Sequence, residues 1–120
     1  MTQETKHLGN NGEDIVASWL ENHGATILAR NFQTRVGEID IIATKGDVIA
    51  FVEVKTRSTE YFPIAQTVHF GKQQKIIKTA KMFIMANNIV DKVLRFDIAT
   101  VLWENQIPRI SYIKNAFTRR

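Results

Sequence analysis

The segment Val48–Arg57, "VIAFVEVKTR", begins as an apolar strand and ends in charged side chains. Its first five residues are apolar, which predicts a strand in the middle of a sheet. Glu53 and Lys55 follow before the run is over, at positions where an unpaired charge costs on the order of several kcal/mol. These two side chains therefore need partners from other parts of the chain.

The segment immediately upstream, "GEIDIIA" at 37–43, has the same apolar character. The connection between the two segments contains Gly46, and two apolar runs joined by a short glycine-containing turn predict an antiparallel hairpin. In a hairpin centred near Gly46, Asp40 lies opposite Glu53. A shift of one residue would place the two carboxylates on opposite faces, so the prediction depends on this register.

Side chains along a strand alternate between the two faces of the sheet. In the upstream strand, one face carries Glu38, Asp40 and Ile42, and the other carries Ile39, Ile41 and Ala43. In the downstream strand, one face carries Phe51, Glu53, Lys55 and Arg57. We therefore expect Asp40, Glu53 and Lys55 to meet at one end of two neighbouring strands.

Two interpretations of this cluster stay open at the level of the residues. A Glu-x-Lys pair at a strand end is commonly a solvated ion pair that contributes under about 1 kcal/mol. The two strands are otherwise strongly apolar, however, and aspartate is disfavoured inside strands, so Asp40 favours a functional site. Oxygen ligands without clustered His or Cys suit hard cations such as Mg²⁺ or Mn²⁺. Lys55 beside such an ion would position a water or stabilise negative charge.

The rest of the chain predicts further elements around this hairpin. Apolar residues at helical spacing predict a first helix from a cap at Asn10 or Asn11 to about His23, and a second over about 72–87. Other predicted segments are strands at 25–32, 94–103 and 107–113, an irregular stretch at 61–71 and a basic tail at 114–120. The fold class is therefore α/β, a mixed sheet flanked by helices, in one domain over residues 1–120.

Other titratable residues are interpreted separately. Glu13 lies at the edge of the apolar stripe of the first helix and should face the sheet. Its alternative interpretation is a glutamate that interacts favourably with the helix dipole, which contributes about 0.3–1 kcal/mol. Asp97 is interpreted as a partner of Arg95 rather than a metal ligand. The histidines show no ligand spacing and are interpreted as incidental: His7, His23 and His69.

Composition favours a basic protein of a reducing compartment. The 120 residues include 16 basic and 12 acidic side chains, a formal charge of +4, and no cysteine. The basic balance favours polyanionic partners such as nucleic acid, and the missing cysteines exclude disulfides and thiolate chemistry. No apolar run approaches the roughly 20 residues of a membrane span, and the amino terminus lacks a secretory apolar core. We expect a cytoplasmic protein without a membrane partner.

Basic residues flank the acidic strands. Arg35 and Arg57 lie just outside these strands, where phosphate contacts are expected. Lys72 and Lys75, at the start of the second helix, fit either phosphate contacts or a solvated helix face, whereas Lys78 and Lys81 are interpreted as solvated. No helix-turn-helix, zinc-finger or aromatic stacking motif is present, so substrate shape rather than base sequence is the expected determinant.

An aspartate, a dozen intervening residues and Glu-x-Lys at the end of an apolar strand resemble the PD-(D/E)XK nuclease superfamily, which has the restriction-endonuclease-like fold. The upstream helix glutamate resembles the archaeal Holliday-junction resolvase branch. More closely, the chain is similar to the YraN family of uncharacterised, endonuclease-related bacterial proteins. The segments that carry this similarity are "GNNGEDIVASWLENHGATILARNF", "GEIDIIA", "FVEVKTR", "KQQKIIKTAKMFI", "RFDIATV" and the closing "NAF".

The resemblance implies roles for individual residues. Asp40, Glu53 and Glu13 would bind Mg²⁺ or Mn²⁺, with Lys55 as the catalytic lysine and Glu38 as a supporting residue. The chain departs from the superfamily pattern where isoleucine replaces the proline before the aspartate, and from the family pattern in the loop "YFPIAQ", where proline replaces a glycine.

The implied function is that of a metal-dependent endonuclease acting on nucleic acid, in particular structured or branched DNA. A homodimer is expected by analogy with resolvases alone. The main alternative is a catalytically silent nucleic-acid-binding module of the same fold within a repair or recombination complex. A third is an adaptor domain in which the acids form ordinary ion pairs.

Overall fold

The protein, described as a computed structural model over residues 3–58 and 68–118, contains two helices and five strands in this part of the chain. In chain order they are α1 (Gln3–Asn22), β1 (Thr26–Gln33), β2 (Glu38–Lys45), β3 (Val48–Arg57), α2 (Phe70–Ala86), β4 (Val93–Glu104) and β5 (Ile107–Phe117). The strands form one sheet in the order β1-β2-β3-β4-β5. Only β3 and β4 are parallel, and α2 lies in the crossover between them. The predicted α/β class is confirmed and is consistent with the restriction-endonuclease-like fold.

The β2–β3 hairpin sets the position of the acidic residues. Gly46 has a φ of +58° and lies in a two-residue turn, a conformation that glycine adopts without a Cβ penalty. From this turn the antiparallel ladder extends to Ile41 opposite Val52. The next position in the same register brings Asp40 level with Glu53, which confirms the predicted register.

Each face of the sheet is covered by one helix. The α1 face contains one apolar cluster: Val16, Ala17, Leu20, Ile41, Ala43, Ala50, Val52, Ala99 and Val101. The α2 face contains the other: Ile39, Ile42, Ile49, Phe51, Val68, Ile76, Ile77, Ala80, Phe83, Phe96, Ile98 and Phe117. Full burial of one such large aliphatic or aromatic side chain contributes about 1.5–3 kcal/mol, so these two layers hold both helices against the strands that carry the acids.

Ile39 departs from the predicted alternation. The sequence places it beside Ile41, but its side chain belongs to the α2 cluster together with Ile42. The β2–β3 ladder ends at Ile41, whereas the β1–β2 ladder continues to Glu38. The beginning of β2 is therefore paired on one side only, and a regular pleat is not imposed on it from both neighbours.

Several predicted boundaries are corrected. A cap at Asn10 or Asn11 is wrong, because α1 begins at Gln3 and includes both residues. The helix continues through both residues despite their low helix propensity. At Gly12 it lies close against β3, since a Cβ there would clash with Thr56 Oγ1.

The second helix also begins earlier than predicted, at Phe70. The predicted basic tail is wrong over its first four residues, since β5 continues to Phe117. Most of the predicted irregular stretch, including Pro63, lies outside the described residues. Across the described ranges, neither helix has the length and apolar character needed to cross a membrane.

Candidate functional site

A cleft of about 650 Å³ opens where β2 and β3 meet the first turns of α2. Its charged lining is formed by Glu38, Asp40, Glu53, Lys72 and Lys75. The hairpin register brings the acids together, as the sequence predicts, and the packing of α2 across the sheet adds the two lysines from a distant segment. Carboxylates of the two strands and lysine ammonium groups of α2 therefore lie next to each other in the cleft.

Asp40 is 9% exposed and retains one backbone partner. The amide of Val54 donates a hydrogen bond to Asp40 Oδ2 at 2.8 Å. Burial, followed by the negative charge of Glu53, nevertheless raises the pKa of Asp40 from 3.8 to about 7. Burial and the nearby Glu53 carboxylate together outweigh the interactions that stabilise ionised Asp40.

Glu53 is buried and is held by two ammonium groups on a single oxygen. Lys72 Nζ donates to Glu53 Oε1 at 2.7 Å, and Lys55 Nζ lies 3.3 Å from the same atom. Lys55 comes from β3 itself, two residues along the same strand face, as predicted. Lys72 comes from α2, and the sequence contained no signal that it would contact Glu53 rather than a phosphate or solvent.

The two lysines have opposite pKa shifts. Burial lowers the pKa of Lys55, and the adjacent Lys72 lowers it further, against the attraction of Glu53. Burial also disfavours the charge on Lys72, but its hydrogen bond with Glu53, together with Lys55 and Asp40, raises its pKa overall. The surroundings therefore shift the proton affinities of the two amines in opposite directions, upward at Lys72 and downward at Lys55.

Glu13 approaches the site from the α1 face. Its Oε1 is buried and accepts no hydrogen bond within the described part of the chain, although Arg30 Nη2 lies 3.7 Å away. Burial raises the pKa of Glu13 against the effects of Asn31 and Arg30, and the charge of Glu13 contributes to the raised pKa of Asp40. The prediction that this side chain faces the sheet is confirmed.

The donor set fits a hard cation with few protein ligands. Within residues 3–58 and 68–118, no three His, Asp or Glu side chains converge closely enough to hold a metal ion. Mg²⁺ is commonly bound by one or two carboxylates, with water and substrate phosphates completing its octahedron. Asp40 and Glu53 match this requirement, whereas Glu13, whose Oε1 pairs with Arg30, does not line the cleft.

The remaining predicted site residues surround the cleft at different distances. Glu38 lines it, is exposed and accepts a hydrogen bond from Gln33 at 2.5 Å. Lys75 also lines it, one helical turn after Lys72. Arg35 lies in the exposed connection directly before β2, and Arg57, at the end of β3, donates to the carbonyl oxygen of Thr56 at 2.9 Å.

Three further predictions have clear outcomes. Lys78 and Lys81 are exposed and do not line the cleft, in agreement with a solvated helix face. The interpretation of His69 as incidental needs correction, since it lines the cleft as the residue that precedes α2. Its position three residues before the predicted start of the second helix was the one available signal. Asp97 pairs with Arg95 at 3.0 Å, as predicted.

Comparison with other proteins extends over nearly the whole chain. The model of "Uncharacterised protein family UPF0102" matches residues 12–101, a segment that contains the site residues from Glu13 to Lys75. A UPF0102 protein of Desulforapulum autotrophicum is 43% identical over 118 residues, which cover 98% of each chain. A UPF0102 protein of Geobacter metallireducens is 42% identical over 118 residues, covering 98% of this chain and 97% of the relative. A third, from Clostridium tetani, is 41% identical over 120 residues, covering 98% of each.

Proposed function

This chain belongs to the UPF0102 family, the YraN-type family to which its motifs are similar, and we propose that it is a metal-dependent endonuclease of the PD-(D/E)XK type. One observation carries the proposal. Two buried carboxylates, Asp40 and Glu53, lie at the same end of neighbouring strands, and the Lys55 amine lies 3.3 Å from one of them. This arrangement supports hydrolysis of a phosphodiester bond in nucleic acid.

Asp40 and Glu53 would hold Mg²⁺ or Mn²⁺, and Glu13 would contribute its buried oxygen from the opposite side, through water. A bound ion of this kind would act as a Lewis acid on a phosphoryl oxygen. The raised pKa of Asp40 supports the assignment, because two carboxylates without a sufficient counter-charge are the arrangement that a divalent cation stabilises.

Lys55 would act on the attacking water and on the phosphate. Its lowered pKa means that a larger fraction of Lys55 than of an exposed lysine is the neutral amine, which can accept a proton at Nζ. Once protonated, the same group would donate a hydrogen bond to the negative charge that develops in the transition state. Its short distance from Glu53 keeps Nζ at the acidic end of the strand, where both tasks are required.

The substrate that the surface favours is structured or branched DNA. Lys72 and Lys75 line the cleft, and Arg35 and Arg57 lie at the ends of the two strands that form it. Cations in this arrangement contact phosphates without reading base edges, so they select shape rather than sequence. By analogy with resolvases of similar fold, we expect the active form to be a homodimer.

A second candidate function is a nucleic-acid-binding module without turnover. The observation that favours it is the pairing of Glu53 with Lys55 and Lys72, which satisfies this carboxylate without any metal. A protein of this kind would bind the same DNA through the same cations, in a repair or recombination complex, and would leave it intact.

The test is a cleavage assay with the purified full chain in MgCl₂ or MnCl₂. Four-way junction, flap, nicked and linear DNA are compared with RNA. We expect cleavage of at least one structured DNA, and we expect Glu53→Gln and Lys55→Met to reduce the rate by at least about 100-fold, the usual cost of losing an electrostatic or acid–base catalytic group. Binding of the same DNA should change by no more than about threefold.

Exposed residues of the same chemistry provide the controls. Glu21→Gln at the end of α1 and Lys81→Met on α2 should retain the wild-type rate, since both side chains are exposed and do not line the cleft. Equal cleavage by wild type and the Glu53→Gln variant would identify a contaminating nuclease and remove the enzyme proposal. Tight DNA binding without cleavage, in the presence or absence of Mg²⁺, would leave the binding module.

A further inference from the structure

Lys72 makes the shortest ion pair of the cleft with the carboxylate at its base. Its Nζ lies 2.7 Å from Glu53 Oε1, compared with 3.3 Å for Lys55. The Glu53 side chain is only 7% exposed, so its charge requires a cation in contact with it. In this structure Lys72 supplies the nearer of the two ammonium groups that compensate Glu53.

The two lysines differ in how readily their ammonium groups can move away from Glu53. The Lys55 side chain is 16% exposed and is attached to β3 itself, two residues from its partner. The Lys72 side chain is 44% exposed and comes from the first turn of α2, at the mouth of the cleft. A lysine stem with four rotatable bonds can move its ammonium into solvent without any change in the backbone.

A divalent cation and the Lys72 ammonium cannot both keep their preferred place at Glu53. Mg²⁺ binds carboxylate oxygen at about 2.0–2.1 Å and retains several waters around it. At the effective dielectric of a protein surface, like charges separated by about 4 Å repel each other strongly. Entry of the ion therefore favours the release of the more exposed cation.

We propose that Lys72 is an internal counter-ion of Glu53 which a divalent metal displaces, and that the released ammonium then contacts a phosphate of the bound nucleic acid. Lys72 is thus a positioning residue that couples metal binding to substrate binding. Without metal, it neutralises Glu53 and is withheld from the substrate. With metal, it is returned to the mouth of the cleft, where Lys75 already lies. The inference rests on the proposed metal site.

The first test measures Mn²⁺ affinity of the full chain by electron paramagnetic resonance, with no nucleic acid present. Lys72→Met removes the competing charge, so we expect Mn²⁺ to bind about tenfold more tightly than to wild type. Lys78→Met is the matched control, an exposed lysine of the same helix outside the cleft, and should stay within about twofold of wild type. Circular dichroism confirms folding, and Lys72→Gln serves as a second neutral variant.

The second test measures binding of junction DNA in the Lys55→Met background, so that cleavage does not interfere. In EDTA, adding Lys72→Met should change the affinity by less than about twofold, because Lys72 is engaged by Glu53. In MgCl₂, the same substitution should weaken binding about fivefold, the contribution of one phosphate contact. An equal loss in both conditions would show that Lys72 contacts phosphate regardless of metal, and would overturn the proposal.

The Mn²⁺ outcomes separate this inference from the proposed function. Equal Mn²⁺ affinity for wild type and Lys72→Met, abolished by Glu53→Gln, overturns the counter-ion role and leaves the metal site intact. Binding only to Lys72→Met would show that Lys72 blocks the metal instead of yielding to it, and would overturn the displacement. No binding to any variant overturns both, and cleavage data then show whether activity persists without the metal.

Discussion

Two buried carboxylate sites of the same sheet show how differently the fold treats negative charge. Asp97 on β4 is fully buried and accepts hydrogen bonds from three other residues. Arg95 donates at 3.0–3.1 Å, the Tyr112 hydroxyl at 2.6 Å and the Asn115 amide at 3.0 Å. Asp40, by contrast, is buried with one backbone donor and a second carboxylate nearby.

The difference separates an acid with a full set of partners from one with few. At Asp97 the protein supplies a full set of partners, and no oxygen is left for an outside ligand. At Asp40 and Glu53 the described residues supply a single backbone amide and two lysine ammonium groups. Burial does not distinguish the two sites, because both are shielded from solvent. They differ in the number of hydrogen-bond and ion-pair partners that each carboxylate has.

The largest expected effect is on the Asp97 side of this comparison. Asp97→Ala should destabilise the fold by about 3–5 kcal/mol, since it leaves the Arg95 charge partly buried without its partner. Urea unfolding monitored by tryptophan fluorescence measures the change. The matched control is Glu104→Ala on the same strand: its ion pair with Arg109 is exposed and should contribute less than about 1 kcal/mol. Equal losses would mean that the Asp97 network has no special structural role.

Asp40→Asn should stabilise the fold, whereas Asp97→Ala should destabilise it. In EDTA at pH 8 we expect the variant to be more stable than wild type by roughly 2 kcal/mol, because the neutral amide removes a charge that burial and Glu53 disfavour. An asparagine oxygen can still accept the Val54 hydrogen bond. Chemical unfolding at pH 8 measures the difference, and a loss of stability would contradict the view that charged Asp40 is under strain.

The pH dependence of wild type follows from the same group. Between pH 4 and pH 7 the folded chain holds a proton on Asp40 that the unfolded chain has released, because the folded pKa is about 7 rather than 3.8. The free energy of unfolding should therefore fall as the pH rises through this window. The difference in stability between wild type and Asp40→Asn, followed from pH 4 to pH 8, isolates the effect; a constant difference would rule it out.

Adding Mg²⁺ should restore part of the stability that wild type loses as the pH rises. At ten times its dissociation constant, Mg²⁺ should stabilise wild type at pH 8 by about 1.4 kcal/mol, as expected for a ligand that binds only the folded state. Asp40→Asn should show less than half of this gain. Thermal unfolding with and without Mg²⁺ provides the measurement, with Ca²⁺-free buffer and matched ionic strength to exclude general salt effects.

The smallest expected effect concerns one of the hydrogen bonds that the Asp97 carboxylate accepts. Tyr112→Phe removes one of its hydrogen bonds and leaves those from Arg95 and Asn115, so we expect a loss of about 1 kcal/mol. Burial, followed by Asp97, raises the pKa of the Tyr112 hydroxyl, so that it stays a proton donor at ordinary pH. Unfolding curves at pH 7 and pH 9 should therefore show the same loss, whereas a loss confined to pH 7 would mean that the hydroxyl ionises.

Local pattern predicted much of the acidic half of the site. The Gly46 turn and strict alternation in β3 were enough to predict that Asp40 lies level with Glu53 and that Lys55 shares its face. The same reasoning failed at Ile39, where β2 is paired on one side only, and at the start of α1, which begins at Gln3 and includes Asn10 and Asn11. Alternation and capping are short-range rules, and both yield where tertiary packing is stronger.

The amino-acid sequence by itself determined the strands, the hairpin register and the convergence of two carboxylates with a lysine, because each follows from contacts between residues close along the chain. Only the tertiary structure decided that Lys72 pairs with Glu53 and that Tyr112 and Asn115 donate hydrogen bonds to Asp97. Those contacts depend on how the crossover helix and the last strand dock on the sheet. Docking is set by the summed packing of many apolar side chains, so no short stretch of sequence encodes which polar groups it brings together.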